Sequence, residues 1–438
     1  MLKFQVTRSI GCLFFFIIGW IMPAYGQSNS DTTHVWSLTD LIAATDHHPA
    51  LEMQRAEIEA ARSHIAQNSS LSDPSLILGV QNLPTNFSFN QDPMTGKVIG
   101  IGQEFPFPGK LGKERSIGEF SVQASRASLV EKQNMLRRDV KLAWYEIVHR
   151  RRSVDAYTSH LGTLNLLEKE IGIGIMNGKT PISEASKVQL ERAEISQMMN
   201  QERSLIAMQY AKLGYATGKD IHAISQIDSL PLPAFNYSLD SLTAIASRNN
   251  PRLKQIQVNI EAANASIERS KLDRYPDFDV MLMYMQRDAL APMGGATGYT
   301  TQMNMISAQL SVKLPLNYGG KNDSRIAESQ AMRDIKTAEK QMAEREIKAG
   351  LAEKLARLQE LQIDHDLLQT SSIPSLRAIM QFLANDYRFG KASLESIITQ
   401  EFTFLHKEHD LFETESEYYK TIAEIEYLVG IDLIPRVN

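Results

Sequence analysis

The chain has 438 residues, of which 43% are hydrophobic and 22% charged, a composition that excludes a disordered or low-complexity protein. Its net charge is −5, so it lacks the basic excess of nucleic-acid-binding proteins, and no nucleic acid is expected as a partner. The single cysteine, Cys12, excludes a fold held together by disulfides.

The first predicted element is a secretory signal peptide over residues 1–26. Lys3 and Arg8 precede an apolar run that is too short to span a membrane, and small residues before the predicted cleavage after Gly26 complete the pattern. A lipid-bearing cysteine should follow such a run, whereas Cys12 lies near its start, so lipidation is not predicted. The mature chain is therefore expected to be exported.

Most of the mature chain is an internal duplication. Pro49 and Pro74 recur 202 residues later as Pro251 and Pro276. The dipeptide Gly-Lys at 178 recurs 212 residues later at 390. A repeat of this length is a whole structural unit, because solenoid units are about 20–50 residues long. The predicted organisation is a first repeat at 27–218, a linker at 219–237, a second repeat at 238–431 and a tail at 432–438.

Very long helices are predicted in each repeat. No proline lies between Pro108 and Pro181, and apolar residues recur there at spacings of three and four. This pattern indicates an amphipathic helix of roughly 65 residues, about 100 Å long at 1.5 Å per residue. Two shorter helices, near 38–70 and 182–217, flank it. Helices of these lengths are typical of a coiled-coil wall.

A β-hairpin is predicted between the first two helical stretches of each repeat, at about 75–106 and 277–314. One set of apolar residues occupies every second position of each strand, and small, polar or methionine residues occupy most of the positions between them. This alternation is typical of transmembrane β-strands. Two hairpins give four strands, and an open four-stranded sheet in lipid would leave unpaired edges, which hydrocarbon does not tolerate. The chain is therefore expected to pair its strands with those of further copies of itself.

In the order and spacing of these features the chain resembles the TolC-like outer membrane efflux proteins. The matching residues include prolines that end each strand pair and the helix-turn signatures around Gly178 and Gly390. The resemblance implies a homotrimer with a 12-stranded β-barrel in the outer membrane lipid, continued by a long α-helical tunnel through the periplasm. It also implies a periplasmic adaptor protein and an inner-membrane pump, of the resistance-nodulation-division type. The stretch from Phe105 to Lys110 leans toward heavy-metal and cation efflux members.

The function that the resemblance implies is a passive export duct for small toxic solutes or metal cations. Two alternatives stay open: an outer membrane duct of a type I protein secretion system, and a periplasmic coiled-coil scaffold. No catalytic motif is present, because the Gly178-Lys179-Thr180 segment lacks the remaining glycine of a phosphate-binding loop and no nucleophile elbow occurs. An enzyme activity and a cofactor are therefore not expected.

Two groups of residues near the helical turns are candidate functional sites. The turns themselves, with Gly178, Lys179, Gly390 and Lys391, are expected to dock the adaptor. The resemblance implies that the second turn carries a gate, and the gate candidates here are Tyr387, Arg388, Glu184 and Glu395. Members of the family place aspartates six and nine residues after the second turn glycine, whereas this chain has Ser396 and Thr399.

Methionines form the third candidate site. Met281, Met283 and Met285 share one strand face, and Met303 and Met305 are expected to continue it on the next strand. If this face lines the lumen, the thioethers could bind soft Cu(I) or Ag(I), although methionine more often serves as an adaptable apolar filler. The pair His406 and His409 shares a helix face, but no third ligand at zinc-site spacing accompanies it, so no other metal site is expected.

Overall fold

The computed structural model describes residues 35–227, 229–292, 294–295 and 297–434. The predicted signal peptide lies outside the described residues. The helices of the first repeat are α1 (Leu38–Ala44), α2 (Pro49–Ser69), α3 (Lys110–Met176) and α4 (Ile182–Thr217). Those of the second repeat are α5 (Leu239–Asn249), α6 (Pro251–Lys271), α7 (Lys321–Leu367), α8 (Ile373–Arg388) and α9 (Leu394–Val429). The strands are β1 (Ser75–Gln81), β2 (Gly96–Phe105), β3 (Asp277–Gln286) and β4 (Met305–Lys313).

The architecture confirms the predicted fold class of long helices with a small β part and an internal duplication. Each repeat runs through two helices, two strands, a long helical stretch and a final 36-residue helix. Short segments join these elements: 3-10 turns at Thr45–His47, Leu272–Arg274 and Tyr318–Gly320, and a π-helical turn at Leu368–Ser372.

Local sequence signals explain where the helices begin and end. Pro49 and Pro251 occupy the first turn of α2 and α6, where a missing backbone N–H costs nothing. Asn250 caps α6 by accepting a hydrogen bond from the amide of Leu253. Gly430 ends α9 in the left-handed conformation, with φ of +86°.

The second repeat divides its long helix where the first does not. α3 is continuous over 67 residues, whereas α7 ends at Leu367 and a π-helical turn leads into α8. Pro374 lies in the first turn of α8, and it cannot donate the backbone hydrogen bond that a continuous α-helix needs at this position. The π-helical turn accommodates that loss.

The four strands form one antiparallel sheet in the order β1-β2-β3-β4. The central pair joins the two repeats, because β2 of the first repeat pairs with β3 of the second from Lys97 opposite Gln286 to Phe105 opposite Phe278. Among the described residues β1 and β4 are the edges of the sheet.

The helices pack around three apolar clusters. One joins α1, α3 and α4 around Trp144, which is fully buried, and a second joins α5, α6, α7 and α9 around Leu351. The third lies where α3, α4 and α9 run toward the two helical turns, and it contains Leu164, Ile195 and Leu405. Burial of these side chains positions the turns relative to one another.

Candidate functional site

The two faces of the sheet differ in chemistry. One face is mainly apolar and exposed; Leu78 is 69% and Ile306 75% exposed. Its polar members include Lys97, opposite Val80, and Gln103, opposite Val280. Its apolar members include Leu76, Leu78, Val80, Ile99, Ile101, Val280, Leu282, Tyr284, Ile306, Ala308, Leu310 and Val312. The opposite face mixes glycines, polar residues and methionines. Gly100 lies opposite Met283 on one side and Ile77 on the other, and Met283 lies opposite Ser307. A sheet with this contrast suits an apolar medium on one side only.

The methionines of β3 lie over glycines of β2. A Cβ built at Gly100 would come within 2.7 Å of the Met283 side chain, and one at Gly96 would come within 2.3 Å of Met285. Any larger residue at Gly96 or Gly100 would overlap the methionine side chains, so these positions favour glycine. The thioethers therefore pack against the sheet, as the filler interpretation of methionine expects.

Met303 departs from the expected strand pattern. β4 begins at Met305, which lies opposite Met285, whereas Met303 precedes the strand and is 81% exposed. Its carbonyl oxygen accepts a hydrogen bond from the Arg287 guanidinium at 2.7 Å. That contact holds the loop before β4, so Met303 does not extend the methionine face.

The two glycine turns have the same geometry. Gly178 and Gly390 adopt positive φ angles of +67° and +69°, and both are exposed. In each turn the amide of the following lysine donates 2.8 Å back to a carbonyl of the preceding helix, Lys179 to Gly174 and Lys391 to Asp386. This left-handed helix end favours glycine because a Cβ would be strained there.

The gate candidates come together between the two turns. The Tyr387 hydroxyl, on α8, donates to the Glu184 carboxylate on α4 at 3.3 Å. Glu395, on α9, pairs with Lys187 of α4 at 2.9 Å. The residues of both contacts are more than 200 positions apart in sequence, so the turns of the two repeats lie at the same end of the helices. The side chain of Arg388 lies outside the described part of the structure.

Each contact shifts the pKa of one of its two residues. Burial and the nearby Glu184 carboxylate raise the pKa of Tyr387, so the hydroxyl stays protonated and remains a donor. The hydrogen bond from Lys187 lowers the pKa of Glu395. Ser396 and Thr399, which stand where the family has aspartates, instead donate to the carbonyls of Ser393 and Glu395 on their own helix.

The histidine pair makes no metal centre. His409 contacts Ser153 Oγ at 3.1 Å, and its ring lies 4.9 Å from that of His149. His406 stacks edge-on against Phe402. Within the described residues no group of three or more His, Cys, Asp or Glu side chains is arranged to hold a metal ion.

The buried ionic contacts that sequence reasoning missed include those of Lys110 and Lys141. Lys110, at the start of α3, lies 2.8 Å from Asp277 and 3.4 Å from Asp273, which joins the base of the sheet to the helices. Lys141, on α3, lies 2.6 Å from Glu426 of α9 and 2.7 Å from Asp432. A lysine within an apolar helical stripe indicates that a buried ion pair is needed, but the sequence does not show which carboxylate is the partner.

No helix in the described part of the chain is both long enough and apolar enough to cross a membrane. Residues 242–430 match the model of the outer membrane efflux protein family. A sequence comparison with characterised proteins finds no match.

Several solved structures share the fold over 90% of this chain. They include CusC, with a TM-score of 0.74, 14% identity and 92% of that chain covered, described for the conformational changes that accompany its folding and transmembrane channel formation. VceC of Vibrio cholerae, an outer membrane protein, has a TM-score of 0.74, 15% identity and 96% of that chain covered. The CmeC outer membrane channel of Campylobacter jejuni has a TM-score of 0.71, 13% identity and 85% of that chain covered.

Proposed function

We propose that this chain, of which residues 242–430 match the outer membrane efflux protein family, is a TolC-like outer membrane efflux protein and the passive duct of a tripartite efflux system. The family and the solved channels agree with the prediction that it is not an enzyme. The proposed duct exports small toxic solutes or metal cations from the periplasm, and the driving force comes from an inner-membrane pump joined to it by an adaptor.

The observation that carries this proposal is the four-stranded sheet with an exposed apolar face and two edges. In hydrocarbon both edges must find partners, since each unpaired backbone group costs several kcal/mol there. The number of strands is even, so β4 of one copy and β1 of the next would continue the antiparallel alternation. Three copies would close a barrel of 12 strands, the number that the family resemblance implies.

In such a barrel the apolar face would meet lipid, and the face with glycine, serine and methionine would line the lumen. Met281, Met283, Met285 and Met305 would then lie on the inner wall, where they fill space over glycines. We expect the duct to leave the choice of substrate to the pump.

The far end of the helices would dock the adaptor. α3 is 67 residues long, so its turn at Gly178 lies about 100 Å from its start beside the sheet. Lys179 and Lys391 are exposed at this end and are available to a partner. The contacts of Tyr387 with Glu184 and of Lys187 with Glu395 would hold this end closed at rest.

The test is the mass of the purified mature protein in detergent and in its absence. Mass photometry should find a trimer in detergent and aggregation or loss of protein without it. A stable, water-soluble monomer would contradict the proposal and favour the scaffold alternative.

A further inference from the structure

One layer of the third apolar cluster is ionisable. His160 on α3, Glu191 on α4 and Glu401 on α9 are 7%, 7% and 5% exposed. Each lies between apolar residues at helical spacing, and the flanking residues are Tyr157 and Leu164, Val188 and Ile195, and Ile398 and Leu405. We call these three residues the polar layer. Core positions of packed helices rarely hold charged groups unless these are paired.

Two of the three side chains are paired, and the third is not. His160 Nδ1 lies 2.6 Å from Glu401 Oε1, and its Nε2 lies 3.4 Å from Glu408. Burial alone would lower the pKa of His160, but these carboxylates outweigh it and raise the pKa to about 9. In contrast, Glu191 Oε1 is buried and has no hydrogen-bond partner in the described part of the chain.

Among the residues that the structure describes, no cation forms an ion pair with Glu191. Arg192 pairs with Glu168 at 2.7 Å, and Lys187 pairs with Glu395 at 2.9 Å. Arg377 on α8 lies 3.9 Å from Glu408, the carboxylate that also contacts His160.

Carboxylates also surround Glu191. Burial raises the pKa of Glu191 most, followed by the charges of Glu194 on its own helix and Glu401 on α9, and the pKa is about 7. The packed arrangement therefore favours a protonated Glu191.

The position of the layer links it to the turns. Glu191 lies seven residues, about 10 Å, along α4 from Glu184, which accepts the Tyr387 hydrogen bond. Any separation of α4 from α9 at the layer would also strain the Lys187 contact with Glu395, which joins the same two helices.

We propose that the polar layer is a proton-operated latch, in which protonation of Glu191 holds α4 against α9 and strengthens closure of the turn end. This rests on the proposed function, since it treats the turn end as the gate of a duct. An ionised Glu191 would oppose Glu401 across the seam, so acid would tighten the duct and neutral pH would relax it. Such a two-state element needs only a small change in charge to shift its populations.

The sign of the pH effect follows from linkage. A separated Glu191 in water has an ordinary pKa of 4.5, whereas the packed one has a pKa of about 7. The closed arrangement therefore has its full stability below pH 4.5, loses it progressively as the pH rises to about 7, and loses nothing more above that. The closed-to-open ratio should change by at most about 300-fold per protomer, since the two pKa values differ by about 2.5 units and each unit is tenfold.

The test measures the distance between α4 and α9 directly. Nitroxide labels at Ser186→Cys and Thr399→Cys, both exposed positions, can be read by double electron–electron resonance, with labelled chains diluted into unlabelled ones. The only native cysteine, Cys12, lies in the predicted signal peptide, so no native cysteine of the mature chain would be labelled as well. A single short distance is expected at pH 4.5, with a longer population that grows up to about pH 7 and then stays constant.

The isosteric variant Glu191→Gln should keep the short distance at every pH, because it cannot ionise. The neighbouring variant Glu194→Gln should still lengthen the distance as the pH rises, but over a narrower pH range. It removes one of the two charges that raise the pKa of Glu191, so the pKa of the packed Glu191 moves closer to its ordinary value. A wild-type distance that does not change with pH, or an unchanged response in Glu191→Gln, would overturn the latch. Planar-bilayer recordings of the same samples test the duct separately, because a protein without channel activity could still show the distance change.

Discussion

At the scale of single residues, the contacts between the two turns are the most informative. Tyr387 with Glu184 and Lys187 with Glu395 join α4 to the second repeat at the end where we place the gate. The ion pair is individually weak, because Lys187 and Glu395 are largely exposed and such pairs contribute about 0–1 kcal/mol. Threefold repetition in a trimer would add them together.

The double variant Tyr387→Phe with Lys187→Met should raise single-channel conductance in planar bilayers, because both contacts that hold the turns together are lost. The matched control is Lys179→Met, which removes an equal charge from the adjacent turn, where Lys179 forms no ion pair with any described residue. Equal conductance of the double variant and the wild type would assign closure to other residues, of which Arg388 is the first to examine.

Lys141 makes a second prediction at this scale. Its ammonium group lies between Glu426 and Asp432, and Glu426 also accepts hydrogen bonds from the amides of Leu433 and Ile434. Lys141→Met should destabilise the protein by about 3–5 kcal/mol, because it leaves the Glu426 charge buried without its cation.

The comparison for Lys141 is Lys354→Met. Lys354 pairs with Glu424 at 2.7 Å, but both side chains are partly exposed, so its loss should cost no more than about 1 kcal/mol. Thermal unfolding in detergent measures both variants. Similar melting temperatures for the two would show that the buried pair contributes no more than an exposed one.

At the scale of elements, the proposed barrel depends on the difference between the two faces of the sheet. Adjacent residues on β4 test this difference within one strand: Leu310 belongs to the apolar face, and Gln309 lies opposite Met281 on the other. Leu310→Lys should cost about 2–4 kcal/mol in lipid, whereas Gln309→Lys should be tolerated, because a lumenal charge stays in water.

The amount of folded trimer in outer membrane fractions measures this pair of variants, since both add the same side chain at the same depth. Equal trimer levels would mean that the apolar face does not meet lipid. A reversed order would exchange the two faces of the proposed barrel.

The elements themselves were predictable, because their signals are local. The spacing of apolar residues indicated a helix of roughly 65 residues where α3 has 67, and alternation indicated strands in both repeats. The π-helical turn before Pro374 was not predicted, since a proline shows where a helix must adjust but not how it does so.

At the scale of the whole molecule, the sheet and the turns lie at opposite ends of α3, so assembly and docking can be separated by mutation. Gly178→Val with Gly390→Val should abolish efflux, because β-branched residues cannot adopt the left-handed conformation of these turns without strain. Trimer formation and membrane insertion should be unaffected, since a Cβ at either glycine meets no atom within 4 Å.

Drug or metal susceptibility of cells that carry this variant, beside trimer levels in the same cells, measures both effects. The matched control is Gly162→Val within α3, where an added Cβ also meets no atom within 4 Å. The backbone of Gly162 is helical, so valine introduces no left-handed strain there. Wild-type resistance in the double variant would refute the assignment of the turns as the docking end.

The sequence alone determined the long helices, the strand faces and the glycine turns, because each depends on residues close together in the chain. It also determined the duplication, because the same residue types recur at nearly constant offsets. Only the tertiary structure decided that β2 pairs with β3 across the repeats and that Tyr387 meets Glu184. Amphipathic helices carry many interchangeable charges, and the packing of distant segments selects which of them meet. The same reason hid Glu191, whose place between Val188 and Ile195 acquires meaning only when α3 and α9 enclose it.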